Sequence, residues 1–203
     1  MNAYTKDGKL IQPNARPGFV RFVDVNDDGV IDDADRTKIG KGTPDWTFGA
    51  TFNAAWKGFD FMMFWQGTYG NDIFDATRRI DLPGINLPSW FLGRWTGEGT
   101  SNKYPIYIQG DATNWQASDL YVHDGSYLRL KNIELGYTVP EYLTKKAFIS
   151  RLRLYVAAEN LLTFTKYWGF DPEISSGSDK SNGVDFGVYP QPRVLRVGFN
   201  LTF

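Results

Sequence analysis

Cysteine is absent from all 203 residues, which excludes disulfide bonds, zinc–thiolate centres and thiol catalysis. A single histidine, His123, leaves little room for a His-based metal cluster or a serine triad. Charge of one sign is lacking as well. Lys plus Arg number 22 and Asp plus Glu 23, a net charge of −1, without the basic surplus that a nucleic-acid partner requires. No run of about 18 apolar residues occurs, so no transmembrane helix is encoded. That absence does not bear on membrane-spanning strands, whose lumen-facing positions are polar and dilute any hydrophobic run. The first residues, Met1-Asn2-Ala3-Tyr4-Thr5-Lys6-Asp7, carry no apolar stretch of signal-peptide type. An exported protein with this sequence is therefore expected to have its leader upstream. No nucleophile–base pair, paired-carboxylate signature or glycine-rich phosphate loop is present, and enzyme activity is not expected.

What is abundant is aromatic residues, 16% of the chain, together with 21 Gly, a composition suited to a β-rich protein that meets membrane or carbohydrate. From Trp46 to Lys57 the even positions are Trp46, Phe48, Ala50, Phe52, Ala54 and Trp56, while the odd ones are mostly small or polar. This period of two predicts a strand longer than soluble proteins usually build. Lys57-Gly58 predicts a tight turn, after which Phe59, Phe61, Met63, Trp65 and Tyr69 alternate along a returning strand. Three further strands are expected over about 127–139, 150–164 and 193–203. In the first of these the apolar phase switches between Leu130 and Ile133, the mark of a bulge. The stretch 71–126 reads as a long irregular connection, 140–149 as a shorter link and 165–192 as another loop. The fold class is all-β, with five long antiparallel strands.

Short and long connections alternate, as in outer-membrane barrels with short periplasmic turns and long extracellular loops. Trp46 and Trp56, ten residues apart on one face, would stand roughly 25 Å apart along the membrane normal, the separation of two aromatic girdles. A soluble β-sandwich could carry the same stripe, but its strands usually stop near five or six residues.

Several long motifs then resemble one family. Asp119 to Pro140, reading DLYVHDGSYLRLKNIELGYTVP, is similar to the late-barrel signature of SusC/RagA-type TonB-dependent outer-membrane transporters. Arg153 to Glu173, Tyr189-Pro-Gln-Pro-Arg193 and Gly198 to Phe203 resemble the segments that follow it. Arg94-Trp95-Thr96 with Lys103-Tyr104-Pro105 fits the preceding loop. The resemblance implies the last five strands of a barrel of about 22 in the outer membrane of a Gram-negative cell. The plug, the TonB-contacting segment and the other strands would lie outside this sequence. It divides the chain into an extracellular region, 1–45, and C-terminal barrel strands, 46–203. It further implies import of oligosaccharides or peptides, coupling to TonB, and a SusD-like lipoprotein lid. Phe203 resembles the terminal aromatic read during barrel assembly. The competing function is a secreted β-sandwich that binds carbohydrate and carries a calcium loop, distinguishable by its independence of detergent.

Two sets of residues are candidates for binding. Asp24, Asn26, Asp28, Asp32 and Asp35 fall at positions 1, 3, 5, 9 and 12 of a loop with Gly29 at position 6, and the Val30 carbonyl fits position 7. This spacing wraps hard oxygen ligands round one point and suits a structural Ca²⁺, with Mg²⁺ second. Mutual repulsion of the carboxylates predicts that the loop orders on binding the ion. The alternative is an acidic turn whose side chains cap one another. Trp90, Trp95, Tyr104 and Trp115, with Phe91, Tyr107 and Tyr121, crowd the long connection. They would either stack on a glycan or partner, or pack the loop on itself. Thr51, Asn53, Gln66, Arg153 and Glu159 are expected on the lumen side, lining a path or bonding to their neighbours. His123 has no evident partner in the sequence.

Overall fold

The computed structural model describes residues 5–77, 89–110, 113–174 and 181–203. The chain forms two compact units, Met1–Ile39 with Arg78–Leu120, and Gly40–Thr77 with Tyr121–Phe203. The division at residue 45 read from the sequence does not capture the joining of two distant segments into the first unit, because no local pattern records it.

The second unit contains β1 (Trp46–Trp56), β2 (Phe59–Tyr69), β3 (Asp72–Asp75), β4 (Val122–Asp124), β5 (Tyr127–Thr138), β6 (Arg151–Thr165), β7 (Val184–Asp185) and β8 (Val194–Thr202). The five long strands form one antiparallel sheet in the order β1-β2-β5-β6-β8, within one or two residues of the limits expected from periodicity. Lys57 and Gly58 both take positive φ, 47° and 88°, the type I′ geometry that matches the twist of a two-residue hairpin. Gly58 is also needed sterically, since a Cβ there would lie 2.9 Å from the Thr138 carbonyl oxygen.

The register brings the apolar positions of all five strands onto one face. Trp56, Phe59, Tyr137, Leu154 and Phe199 lie in one cross-strand row, and Phe52, Met63, Ile133, Ala158 and Leu195 in another. The phase switch in β5 is absorbed where the pairing shifts between Leu130 and Asn132. Lys131 is the extra residue against β2. Asn160 in β6, at φ 50°, takes the left-handed conformation that Asn tolerates better than most residues. With the shift, Leu128 and Leu130 share a face with Ile133 and Leu135. This face is open: Trp46 is 70% exposed, Trp56 69% and Val197 85%. So large a stripe of uncovered apolar surface does not suit water.

The connection 71–126 is not wholly irregular, contrary to the sequence reading. It contains β3 and β4, which with β7 from the loop 165–192 make a second, three-stranded sheet in the order β4-β3-β7. The β3–β4 pair is antiparallel and the β3–β7 pair parallel. Strands of two to four residues are too short to show alternation. A single helical turn, α1 (Glu141–Thr144), lies in the link after β5. The buried residues of this unit include Ile73 in the small sheet, Tyr127 and Leu130 in β5, Ala158 in β6, and Tyr121 and Tyr167 in the connections.

Candidate functional site

Opposite the apolar face, strand alternation collects polar side chains. Asp60, Gly136, Tyr155 and Gly198 share one row, and Asn53, Glu134 and Arg196 the next. Arg153 binds both carboxylates nearby. Its Nε donates to Asp60 Oδ1 at 2.9 Å, its Nη2 to Asp60 Oδ2, and Nη2 also to Glu134 Oε1 at 2.6 Å. The guanidinium lies over the Tyr155 ring, 5.3 Å from its centre. Gly136 makes room for this arrangement, because a Cβ there would stand 2.6 Å from both Arg153 Nε and Asp60 Oδ2. Arg196 pairs with Glu159 at 2.5 Å. Of the lumen residues expected from sequence, Arg153 and Glu159 are thus engaged with neighbours, and Thr51, Asn53 and Gln66 lie on the same face.

At the opposite end of the strands from the Lys57-Gly58 turn, a buried ionic cluster ties down the segment after β6. Arg129 and Asp171 are each only 3% exposed and pair at 2.7 Å. Arg129 also donates to Glu173 at 2.8 Å and to the Thr163 hydroxyl at 2.9 Å, while Lys131 reaches Glu173 at 2.7 Å. Asp171 accepts the amides of Glu173 and Gln191 as well, so one carboxylate gathers both ends of this loop. Nearby, the Tyr167 hydroxyl donates to Asp185 at 2.5 Å. Burial, then this bond, raises the Tyr167 pKa far above the usual phenol value. The Ser126 hydroxyl and then its amide hold the Asp124 carboxyl below the usual carboxylate range. His123 does have a partner, accepting the Trp168 indole N–H at 3.1 Å.

In the first unit the acidic loop bends sharply at Asp27 and Gly29, φ 60° and 84°. Asp24 accepts the amides of Asp28 and Gly29, Asp28 that of Val30, and Asn26 that of Asp28. Asp32 caps a 3₁₀ turn, Asp33–Asp35, in a reciprocal capping box with Asp35, and Asp35 also accepts the Val25 amide at 2.7 Å. The amides of Asp32 and then Val25 hold the Asp35 carboxyl below the ordinary range. Among the described residues no group of three or more acidic or histidine side chains is gathered closely enough to hold a metal.

The loop aromatics pack on one another. Trp90 lies 4.5 Å from Phe91 and 4.8 Å from Tyr104, centre to centre, and Phe91 stacks on Trp115 at 5.3 Å. The Trp95 ring lies against Gly18. Buried Asn114 accepts the Val20 amide at 2.8 Å and donates to the Ile106 carbonyl at 3.3 Å. Neither the Val20–Asn114 bond, 94 residues apart, nor the Arg129–Asp171 pair, 42 apart, has a local pattern that marks it.

No family model matches the chain. It is 36% identical over 194 residues to TonB-dependent receptor P3 of Formosa agariphila, covering 92% of this chain and 19% of that protein. Identity to TonB-dependent receptor SusC of Bacteroides thetaiotaomicron is 25% over 207 residues, covering 100% of this chain and 19% of that one. Among solved structures, the RagAB peptide transporter matches with a TM-score of 0.67 at 28% identity, over 86% of this chain and 19% of that chain. RagAB in its 'open-open' state matches with a TM-score of 0.62 at 29% identity, over 79% and 17%. The chain spans about a fifth of the length of the curated relatives it matches. These relatives are receptors and transporters, not enzymes.

Proposed function

We propose that this chain, which belongs to the SusC/RagA type of TonB-dependent outer-membrane receptors, forms part of the wall of an importer for oligosaccharides or peptides that is energised through TonB. Its five long strands are then the last of about 22 around a plugged lumen, and a SusD-like lipoprotein covers the extracellular mouth. The observation that carries this reading is the two-faced sheet. An open apolar face with Trp46 and Trp56 near its ends meets lipid, and a face carrying Arg153, Asp60 and Glu134 meets the aqueous interior. The RagAB relatives are described as a peptide importer, which supports a substrate of oligomeric, hydrogen-bonding character. The test is uptake of labelled oligopeptides and oligosaccharides by cells carrying the full-length receptor, with and without a protonophore. Uptake of one class, abolished by the protonophore and by loss of the lipoprotein, is expected. Protonophore-insensitive uptake would contradict the coupling.

The spacing of the acidic loop supports a second element of this reading, a structural Ca²⁺ held by Asp24, Asn26, Asp28, Asp32, Asp35 and the Val30 carbonyl. The bend at Asp27 and Gly29 already turns several of these oxygens toward the loop's own amides, and a hard cation would take the amides' place. Calorimetry on the full-length receptor should record Ca²⁺ binding that Asp24→Ala with Asp28→Ala removes. No heat at millimolar Ca²⁺ would leave an amide-capped turn. Trp90, Trp95, Tyr104 and Trp115, each half-buried, remain proposed contacts for glycan or partner.

A further inference from the structure

We infer that the β5–β6 link and the adjoining strand ends form a binding edge for anionic phospholipid headgroups. This rests on the proposal that the long strands span the membrane. The link leaves β5 at Thr138 and enters β6 at Arg151, at the same end of the sheet as the Lys57-Gly58 turn. The apolar face reaches this end through Trp56, Phe59, Tyr137 and Phe199. Phe59 and Tyr137 are in ring contact there, with centres 4.6 Å apart.

The link that joins these strand ends carries apolar side chains of its own. Tyr142, Leu143 and Phe148 are all exposed, Phe148 at 90%. Phe148 takes a left-handed conformation, φ 56°, which bulky side chains rarely adopt, and uses it to end the turn with its ring directed outward. Thr144, by contrast, is buried. The link therefore has an inner anchor and an outer apolar surface.

The charges at this edge are mainly positive. Lys57 lies over the Trp56 ring at 4.9 Å, and Lys146 is exposed with no ion pair among the described residues, while Arg151 shares the polar face of Arg153 and acts on Asp60 there. Lys145 pairs with Glu141 at 3.0 Å, and Asp60 is taken up by Arg153. Aromatic rings at headgroup depth beside unpaired cations complement a phospholipid of net negative charge, each cation near an anionic surface contributing to the attraction. Continuity with the lipid-facing stripe and this charge complementarity select lipid over a protein segment as the occupant.

The test uses the full-length receptor in nanodiscs of phosphatidylcholine, alone or mixed with phosphatidylglycerol. A fluorophore on cysteine at Phe148→Cys should be quenched by brominated lipid and shielded from aqueous iodide. Titration of a fluorescent phosphatidylglycerol should show a roughly five-fold loss of affinity for each cation removed in Lys146→Gln and Lys57→Gln. A label at 148 open to iodide, or shielded from both quenchers by protein, would overturn the inference, as would unchanged phosphatidylglycerol affinity in the variants. A label at Phe52→Cys separates the two levels. If it is quenched by lipid while 148 is not, only the edge fails. If Phe52 is not quenched, the spanning reading fails with it.

Discussion

Arg129 illustrates what single residues contribute at one end of the long sheet. Its guanidinium is buried, and its partners Asp171, Glu173 and Thr163 satisfy it. Removing one member of such a pair leaves an uncompensated buried charge, which costs about 3–5 kcal/mol. Asp171→Ala should therefore release the segment after β6, read as faster hydrogen exchange at Glu173 and Gln191, whose amides bond to this carboxylate. Unchanged exchange would deny the clamp. Tyr167 makes a different prediction. Its pKa is raised when folded, so its contribution is fully present below the unfolded value near 10 and is lost as the pH rises through the folded value. Stability should fall across the alkaline range in the full-length receptor. In Tyr167→Phe that component of the slope should vanish, and stability at neutral pH should drop by about 1–3 kcal/mol because buried Asp185 loses a donor. An alkaline slope identical in the two proteins would contradict the assignment. Neither residue was readable as a site beforehand. The loop that folds back on Arg129 follows no repeat.

Among elements, the long strands were the most readable. Period two fixed their existence, face and ends, and Lys57-Gly58 fixed the hairpin. The switch between Leu130 and Ile133 located the bulge before its register was known. Phe52 lies near the middle of β1, so Phe52→Arg should destabilise the assembled receptor by about 2–4 kcal/mol if the face meets lipid near the midplane. Urea unfolding in bilayers measures this, and an unchanged free energy would count against the assigned face. The short elements were not readable for a physical reason. β3, β4 and β7 pair across large sequence separations, and two to four residues cannot express a period. The acidic loop lies between these cases. Its spacing was plain, yet the same spacing serves an ion or a chain of amide caps. The aromatic residues of the long connection were evident by composition, while their packing on Phe91 depends on tertiary folding.

At the largest scale, the second unit is organised by the two faces of its long sheet. One carries apolar side chains across five strands without interruption by charge, and the other holds ion pairs that apolar surroundings would penalise. Arg153, bridging Asp60 and Glu134, joins β6, β5 and β2 across that polar face. The most direct test of this organisation is an accessibility scan along β6 in the full-length receptor in bilayers. Spin labels placed singly at successive positions from 152 to 158 would be relaxed by lipid-soluble oxygen or by a water-soluble nickel chelate. Labels at Leu152, Leu154, Val156 and Ala158 should favour oxygen, and those at Arg153, Tyr155 and Ala157 the chelate, alternating residue by residue. A flat profile, or one in which the even positions favour the chelate, would contradict the account.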